Sequence, residues 1–271
     1  MKKPHRKILH LHKDFSLAYR QRQSGSGSTI VFIHGFGSAK DHFRYAFDSR
    51  SLEAFTLITV DLVGFGQSRG PAEFGYSMRE HAEVVIDFLN ELGVRNFHLC
   101  AHSMGGLVAM NIAEMLPQRV LSFIDLEGNL TPEDCFVSGL VARGTLQEFA
   151  GQGRHNFEKD IRNTGAGDPT MLEYADMLAM ASTTALYKSA CHTVEDSSGS
   201  LVERLSRIRN TGYIYGEKNR GVFPSENLLR ASGVPIFYIE GAGHSMATEN
   251  PGQLYSVIKA FIDALSPIET S

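Results

Sequence analysis

The chain has 271 residues, 42% of them hydrophobic, and a formal net charge of −4 at pH 7. This length can bury a large core in one domain, and so small a charge gives no field that would hold nucleic acid. No apolar run approaches the ~18 residues of a membrane span. The basic segment 2–7 lacks the apolar core of a secretory signal. Three cysteines are a sparse, odd set that suits a reducing compartment. We therefore expect a cytoplasmic protein without membrane or nucleic-acid partners.

The first hundred residues predict strands alternating with helices. Two strands at the sheet edge form an antiparallel hairpin, and the apolar run 29–33 is typical of a strand buried on both faces of a parallel sheet. A capping box, Ser77 with Glu80, starts a helix that ends at Gly93. The predicted strands are 8–12, 15–21, 29–33, 55–60 and 96–101, and the other predicted helices are 41–53 and 106–116.

The rest of the chain continues this alternation except in one segment. Strands are predicted at 120–124, 213–215 and 235–239, and a last helix follows Asn250-Pro251 and runs to Leu265. Between about Thr131 and Arg209 no strand is predicted. Five helices are predicted there instead, at 133–142, 145–162, 169–180, 183–192 and 201–208. The pattern indicates an α/β fold with a mostly parallel, doubly wound sheet of eight strands and a helical insertion.

Ser103 occupies the most informative position of the chain. The segment 100–106 reads Cys-Ala-His-Ser-Met-Gly-Gly and joins a predicted buried strand to a predicted helix. Ala101 and Gly105, two residues before and after the serine, are small, as a tight strand-to-helix turn requires. Such a turn is a nucleophile elbow, which pushes the serine hydroxyl clear of the main chain. The motif is usually written with glycine first, so Ala101 departs from it by one methyl group.

Four motifs in the expected order resemble the α/β-hydrolase superfamily, in its branch of cofactor-free hydrolases with a helical cap. They are His34-Gly35-Phe36-Gly37, the segment 61–68, the elbow and Gly241-Ala242-Gly243-His244. The resemblance covers nearly the whole chain. It implies an α/β-hydrolase core from residues 1–130 and 209–271, and a helical cap from 131–208. It implies no cofactor, and the spacing of the three cysteines suggests no metal site.

The resemblance also implies roles for particular residues. Ser103 would be the nucleophile and His244 its base, since histidine's unperturbed pKa near 6.5 suits a proton shuttle. The main-chain N–H groups of Phe36 and Met104 would form the oxyanion hole. His34 and His102 lie inside the motifs and are expected to be structural.

The acid of the triad is less evident than its other members. Many relatives carry an aspartate after the strand predicted at 213–215, where this chain has Asn219. Another branch, which includes haloalkane dehalogenases, carries its acid after the preceding strand, and here that strand leads into Asp125 and Glu127. Glu127 lies just past the strand end and has the longer reach, so it is the predicted acid. Asp125 and Glu217 remain alternatives.

A serine nucleophile favours acyl transfer over the carboxylate chemistry of dehalogenases and epoxide hydrolases. The predicted function is hydrolysis of a small-molecule carboxylic ester, thioester or lactone through an acyl-serine. One alternative is hydrolysis of carbon–carbon bonds in dienoic ring-cleavage products, for which Arg143, Arg154 or Arg162 would have to hold a carboxylate. An acyltransferase and a cofactor-free perhydrolase are further alternatives. A non-catalytic ligand-binding protein is another, favoured only by Asn219.

Overall fold

A computed structural model describes residues 5–12, 14–24, 27–197 and 200–265, so Lys2 and Lys3 of the basic segment lie outside it. Within these ranges the chain forms one eight-stranded sheet, as predicted, in the order β1-β2-β4-β3-β5-β6-β7-β8. The strands are β1 His5–His10, β2 Ser16–Arg22, β3 Thr29–Ile33, β4 Thr56–Val60, β5 Phe97–His102, β6 Val120–Leu126, β7 Thr211–Gly216 and β8 Ile236–Ile239.

The direction of the strands decides where side chains with chemical functions can meet. The pairings β1–β2 and β2–β4 are antiparallel. All pairings from β4 across to β8 are parallel. The carboxyl ends of six neighbouring strands therefore lie along one edge of the sheet, and ligand sites of open α/β sheets form there.

Helices cover both faces of this sheet. Along β3, Ile30 and Phe32 belong to one buried cluster, and Val31 and Ile33 belong to the other. This alternation follows from the two-residue period of a strand. The helices, in chain order, are α1 Met78–Glu91, α2 Met104–Met115, α3 Ser138–Val141, α4 Leu146–Glu148, α5 Arg154–Thr164, α6 Pro169–Met180, α7 Thr183–Asp196, α8 Leu201–Arg207, α9 Pro224–Ser232, α10 Met246–Glu249 and α11 Pro251–Asp263.

Two helix predictions differ from the structure, and two helices, α9 and α10, were not predicted. The segment predicted as helix 41–53 consists of two 3-10 turns, Lys40–Asp48 and Arg50–Leu52. A single helix over 133–142 is wrong, because the Asp134 carboxylate accepts hydrogen bonds from the main chain of Leu130 and Thr131 and closes a separate turn before α3. Helix α9 was not predicted, although Pro224 in its first turn and Gly233 after its end are typical boundary signals.

The segment between β6 and β7 contains helices α3–α8 and, among its described residues, no strand. We call these six helices the inserted helices. They contact the loops that follow β3 and β4. Ser38 Oγ lies 3.6 Å from Met177 Sδ, and the Ser182 N–H donates to the Gly64 carbonyl at 2.7 Å. The inserted helices therefore cover the carboxyl edge of the sheet.

Close packing of main chain holds the turn at Ser103. A Cβ atom added to Gly105 would lie 2.6 Å from the His34 carbonyl oxygen and 2.7 Å from that of Ile33. A Cβ atom added to Gly35 would lie 2.9 Å from the Ser103 Cβ atom. These glycines let α2 and the loop after β3 approach each other, which brings the N-terminus of α2 against the end of β3.

We predict that Gly105→Ala lowers the free energy of unfolding by about 1–3 kcal/mol, because the added methyl group would overpack against main chain that cannot rotate away. Gly252→Ala is the matched control. Gly252 is also the second residue of its helix, α11, but has no neighbour within 4 Å of its added Cβ. We expect the control to be neutral or stabilising by up to ~1 kcal/mol. Denaturant unfolding of both variants checks this, and equal effects would contradict it.

Candidate active site

Ser103 lies at the tight turn between β5 and α2. Its main chain has φ 53° and ψ −128°, a strained conformation for a residue with a side chain. The main chain on both sides fixes this geometry, since the Ser103 N–H donates to the Leu126 carbonyl and its own carbonyl accepts from Gly106. The serine is buried, at 9% exposure, but lines a cavity under the inserted helices. These features are those of a nucleophile elbow.

Two main-chain N–H groups near Ser103 are free to donate. No hydrogen bond from the N–H of Phe36 or of Met104 to another described residue is found. Met104 is the first residue of α2, so its N–H has no acceptor within the helix. Phe36 lines the same cavity as Ser103. Both groups predicted as oxyanion donors are thus unpaired and adjacent to the serine loop.

A buried ion pair holds the loop that carries Phe36. The Asp61 carboxylate accepts from the Lys40 N–H at 2.6 Å and from Lys40 Nζ at 2.8 Å. Asp61 also accepts from the Gln67 N–H at 2.9 Å. His34, in the same loop, accepts from the Leu62 N–H at 3.0 Å through Nε2. The segment 61–68 therefore supports the loop after β3, and His34 has a structural role, as expected.

His244 contacts a carboxylate, and that carboxylate is Glu127. His244 Nδ1 lies 2.7 Å from Glu127 Oε2, and the Glu127 side chain is 3% exposed. Glu127 follows β6 and adopts a left-handed main-chain conformation with φ 46°, which is rare for a residue with a side chain. His244 follows β8 and lines the cavity together with Ser103.

The Glu127 carboxylate is fixed on its other side by β7. Its Oε1 accepts from the Gly216 N–H at 2.7 Å, and Asn219 Nδ2 lies 3.1 Å from Oε1 and 2.8 Å from Oε2. Asn219, which stands where relatives often carry the acid, therefore donates to the Glu127 carboxylate, which follows the neighbouring strand β6. Asn219 and His244 thus contact the same carboxylate, and Asn219 helps to fix its orientation.

The two alternative acids lie elsewhere. Glu217 accepts from the Gly241 N–H at 2.9 Å at an exposed position. Asp125 is fully buried beside Gly106 and Gly128, and its oxygens have no hydrogen-bond partner among the described residues. Burial raises the pKa of Asp125 well above its ordinary value. Neither side chain forms a hydrogen bond with His244 in the described structure.

His102 contacts His244, and His42 stacks on His102. His102 donates from Nε2 to the His244 carbonyl at 2.8 Å, and its ring centroid lies 4.5 Å from that of His244. His42 stacks on the other side of His102 at 4.6 Å. Burial, with a smaller effect of neighbouring histidines, lowers the pKa of His42 to about 3 and that of His102 well below its ordinary value. Both rings are therefore neutral at pH 7, and His102 helps to position the main chain of His244 through its hydrogen bond.

The cavity in front of Ser103 has a volume of about 130 Å³. Ligand pockets for drug-sized molecules are typically ~300–1,000 Å³, so this cavity suits a small substrate. Its apolar wall consists of Phe36, Phe136, Val137, Ile161, Met171, Tyr174 and Met177. No lysine or arginine of the described chain lines it.

Asn129 is a cavity residue that the sequence analysis did not assign to the site. Ser103 Oγ donates to Asn129 Oδ1 at 3.3 Å, and Asn129 Nδ2 donates to the Asp134 carbonyl at 2.7 Å. A polar residue two positions after Glu127, in the loop that follows β6, is the signal that could have found it. In this structure the serine hydroxyl is oriented by an amide oxygen.

We predict that His42 stays neutral well below pH 6, because its folded-state pKa is about 3. The unfolded chain binds a proton at an ordinary pKa near 6.5, so lowering the pH from 6.5 toward 3 makes this residue favour unfolding. NMR titration of the His42 ring, assigned by comparison with His42→Phe, measures the pKa. A midpoint near 6.5 in the folded protein would contradict the prediction.

Comparisons of the sequence and of the structure with known proteins agree on one family. The model for the alpha/beta hydrolase fold matches residues 28–175, more than half of the chain. The chain is 41% identical over 101 residues to the dihydrolipoyllysine-residue acetyltransferase component of the acetoin cleaving system of Cupriavidus necator. That match covers 37% of this chain and only 26% of the relative, so the matched segment spans about a quarter of that protein.

Solved structures agree over the full length. An N-acyl homoserine lactonase, AidH, crystallised with N-hexanoyl homoserine, superposes with a TM-score of 0.77 at 17% identity, covering 99% of this chain and 100% of that chain. A thermophilic esterase from Thermogutta terrifontis gives a TM-score of 0.76 at 19% identity, covering 97% and 98%. At such identities the likeness concerns the fold. Together with the family match and the eight-stranded, mostly parallel sheet, it shows that the chain belongs to the α/β-hydrolase family.

Proposed function

We propose that this protein hydrolyses small carboxylic esters, including lactones and thioesters, through an acyl-serine formed on Ser103. The observation that carries the proposal is the 2.7 Å contact between His244 and a buried Glu127, with His244 and Ser103 on one cavity. The esterase and lactonase among its structural neighbours support the same class of reaction.

The first step is attack by Ser103 on the substrate carbonyl carbon. Since His244 Nδ1–H donates to Glu127, the other ring nitrogen, Nε2, carries the lone pair that accepts a proton. The serine hydroxyl turns from Asn129 toward Nε2 and passes its proton there as the Oγ–C bond forms. The Glu127 carboxylate stabilises the imidazolium that results.

The carbonyl oxygen becomes negatively charged as the carbon becomes tetrahedral. The unpaired N–H groups of Phe36 and Met104 would donate to this oxygen, and donors fixed by the surrounding main chain lose little free energy in reorganisation. When the intermediate collapses, the bond to the leaving oxygen or sulfur breaks and His244 returns its proton to the leaving group. Water then attacks the acyl-serine with His244 again acting as base, which releases the acid and restores Ser103.

The inserted helices would act as a cap over this reaction, forming one unit, residues 131–208, between core segments 1–130 and 209–271. Met171, Tyr174 and Met177 of α6 line the cavity opposite the sheet. Arg44 of the core forms an ion pair with Glu173 of α6. A cap of this kind would exclude water and select a small acyl group.

Carbon–carbon bond hydrolysis of dienoic acids is less well supported. That reaction needs a cation in the cavity to hold the substrate carboxylate, and none of the arginines considered for this role lines the cavity. Arg154 pairs with Glu158, and Arg162 pairs with Asp176 on the cap surface. Epoxide opening by a carboxylate nucleophile is disfavoured because a serine occupies the elbow.

In the described part of the chain no helix is both long and apolar enough to cross a bilayer. We propose a cytoplasmic location on the composition of the sequence alone.

We predict that Glu127→Gln lowers kcat for p-nitrophenyl butyrate by about 10²–10⁴, because the charge that it stabilises develops in the transition state. The matched control is Glu217→Gln, which changes a neighbouring carboxylate that does not contact His244 and should leave kcat within about twofold. Ser103→Ala gives the background rate. Steady-state kinetics with thermal unfolding of each variant makes the comparison. Equal losses in the two glutamine variants would refute the assignment, and full activity in Ser103→Ala would refute the mechanism.

A further inference from the structure

The amide of Asn129 presents an acceptor to the reacting atoms. Its Oδ1 lies 3.3 Å from Ser103 Oγ, and its side chain lines the cavity although the residue is only 3% exposed. The opposite end of the amide is anchored, with Nδ2 donating to the Asp134 carbonyl at 2.7 Å and lying 3.6 Å from Cys135 Sγ. A flipped amide would bring two carbonyl oxygens together, so these contacts fix Oδ1 toward the serine.

The mechanism removes the hydrogen bond that Oδ1 accepts. In the resting structure the Ser103 hydroxyl is the donor to Oδ1, and no other described residue donates to it. The hydroxyl must turn to His244 before attack, and the acylated serine has no proton to donate. Oδ1 then becomes a buried acceptor without a partner, which is unfavourable unless another donor takes the place of the serine.

When Ser103 attacks and becomes acylated, the substrate occupies the cavity, so the donor that replaces the serine hydroxyl would belong to the substrate. A heteroatom on the carbon next to the scissile carbonyl is three bonds from Ser103 Oγ once the ester bond has formed. A hydrogen bond spans about 3 Å, so a donor at this α position can reach an acceptor that lies 3.3 Å from the same Oγ. Substituents farther along the acyl chain would point toward the apolar cap wall instead.

The donor is expected to be uncharged. Of the two carboxylates that line the cavity, Glu173 pairs with Arg44, and Asp134 accepts from Ser225 and from the main chain of its own turn. A substrate ammonium group would therefore lack a free counter-charge. A hydroxyl or an amide N–H can donate to the neutral Asn129 oxygen without burying an unpaired charge.

We propose that Asn129 is a specificity-determining residue that accepts a hydrogen bond from a hydroxyl or amide N–H on the α carbon of the acyl group. The preferred substrates are then esters or lactones of α-hydroxy or α-amido acids. This inference rests on the proposed ester hydrolysis and adds a substrate class to it.

The kinetic test uses the p-nitrophenyl esters of 2-hydroxybutyrate, 2-methoxybutyrate and butyrate. The hydroxy and methoxy esters share an electron-withdrawing α oxygen, but only the first has a donor. After correction for their alkaline hydrolysis rates, kcat/KM of the wild type is expected to favour the hydroxy over the methoxy ester by about 10–100-fold. Asn129→Leu should reduce that ratio to about one. Asn129→Leu also removes the acceptor that orients the Ser103 hydroxyl in the resting enzyme. This effect changes kcat/KM for all three esters equally, so it cancels in the ratio of the hydroxy to the methoxy ester.

The binding test does not depend on turnover. In Ser103→Ala the serine donor is absent, so methyl 2-hydroxybutyrate should bind about tenfold or more tightly than methyl butyrate by calorimetry. The preference should disappear in the double variant with Asn129→Leu, or with Asn129→Ala if the leucine variant unfolds.

The outcomes separate the two proposals. The role of Asn129 is overturned if neither test shows a preference for the α-hydroxy ester. It is also overturned if that preference is unchanged when the Asn129 amide is lost. Ester hydrolysis stands in both cases. If the wild type hydrolyses none of the esters, ester hydrolysis is refuted. The calorimetric preference alone then decides whether Asn129 recognises a donor.

Discussion

The contact between Glu127 and His244 is the interaction on which the site depends. A carboxylate that is 3% exposed would be costly without partners. Here both oxygens are satisfied, by His244, the Gly216 N–H and the Asn219 amide. These bonds hold the imidazole in one tautomer and orientation. Glu127 forms these bonds from a left-handed main-chain conformation, and local strain of this kind is common at functional sites.

The parallel half of the sheet brings these groups together. Phe36, Ser103, Glu127, Asn219 and His244 follow β3, β5, β6, β7 and β8, which are neighbours in the sheet in that order. Residues far apart in the sequence therefore meet because parallel strands end at one edge. A carboxylate that follows either β6 or β7 would lie near the loop after β8, since β6 pairs with β7 and β7 pairs with β8. This chain has the carboxylate after one and an amide that supports it after the other.

The sequence was most informative where chemistry is local. The turn at Ser103 needs small residues at fixed offsets, and His244 follows the last strand, so both could be located from the printed residues. Contact between Glu127 and His244 could be predicted only as one of three possibilities, because it depends on strand register and side-chain reach. Asn129 was missed because its role comes from a distance of 3.3 Å to Ser103 that no spacing encodes. The helices of the insertion were predicted approximately. There Asp134 caps a separate turn, which periodicity does not reveal.

The central claim is that an acyl group passes through Ser103. The most direct measurement is acid quenching of the wild-type enzyme during turnover of p-nitrophenyl butyrate, followed by proteolysis and mass spectrometry. The account predicts a butyryl group on the peptide that contains Ser103, and no such adduct in Ser103→Ala. Rapid hydrolysis with the butyryl group on a different residue, or an adduct that persists in Ser103→Ala, would contradict it.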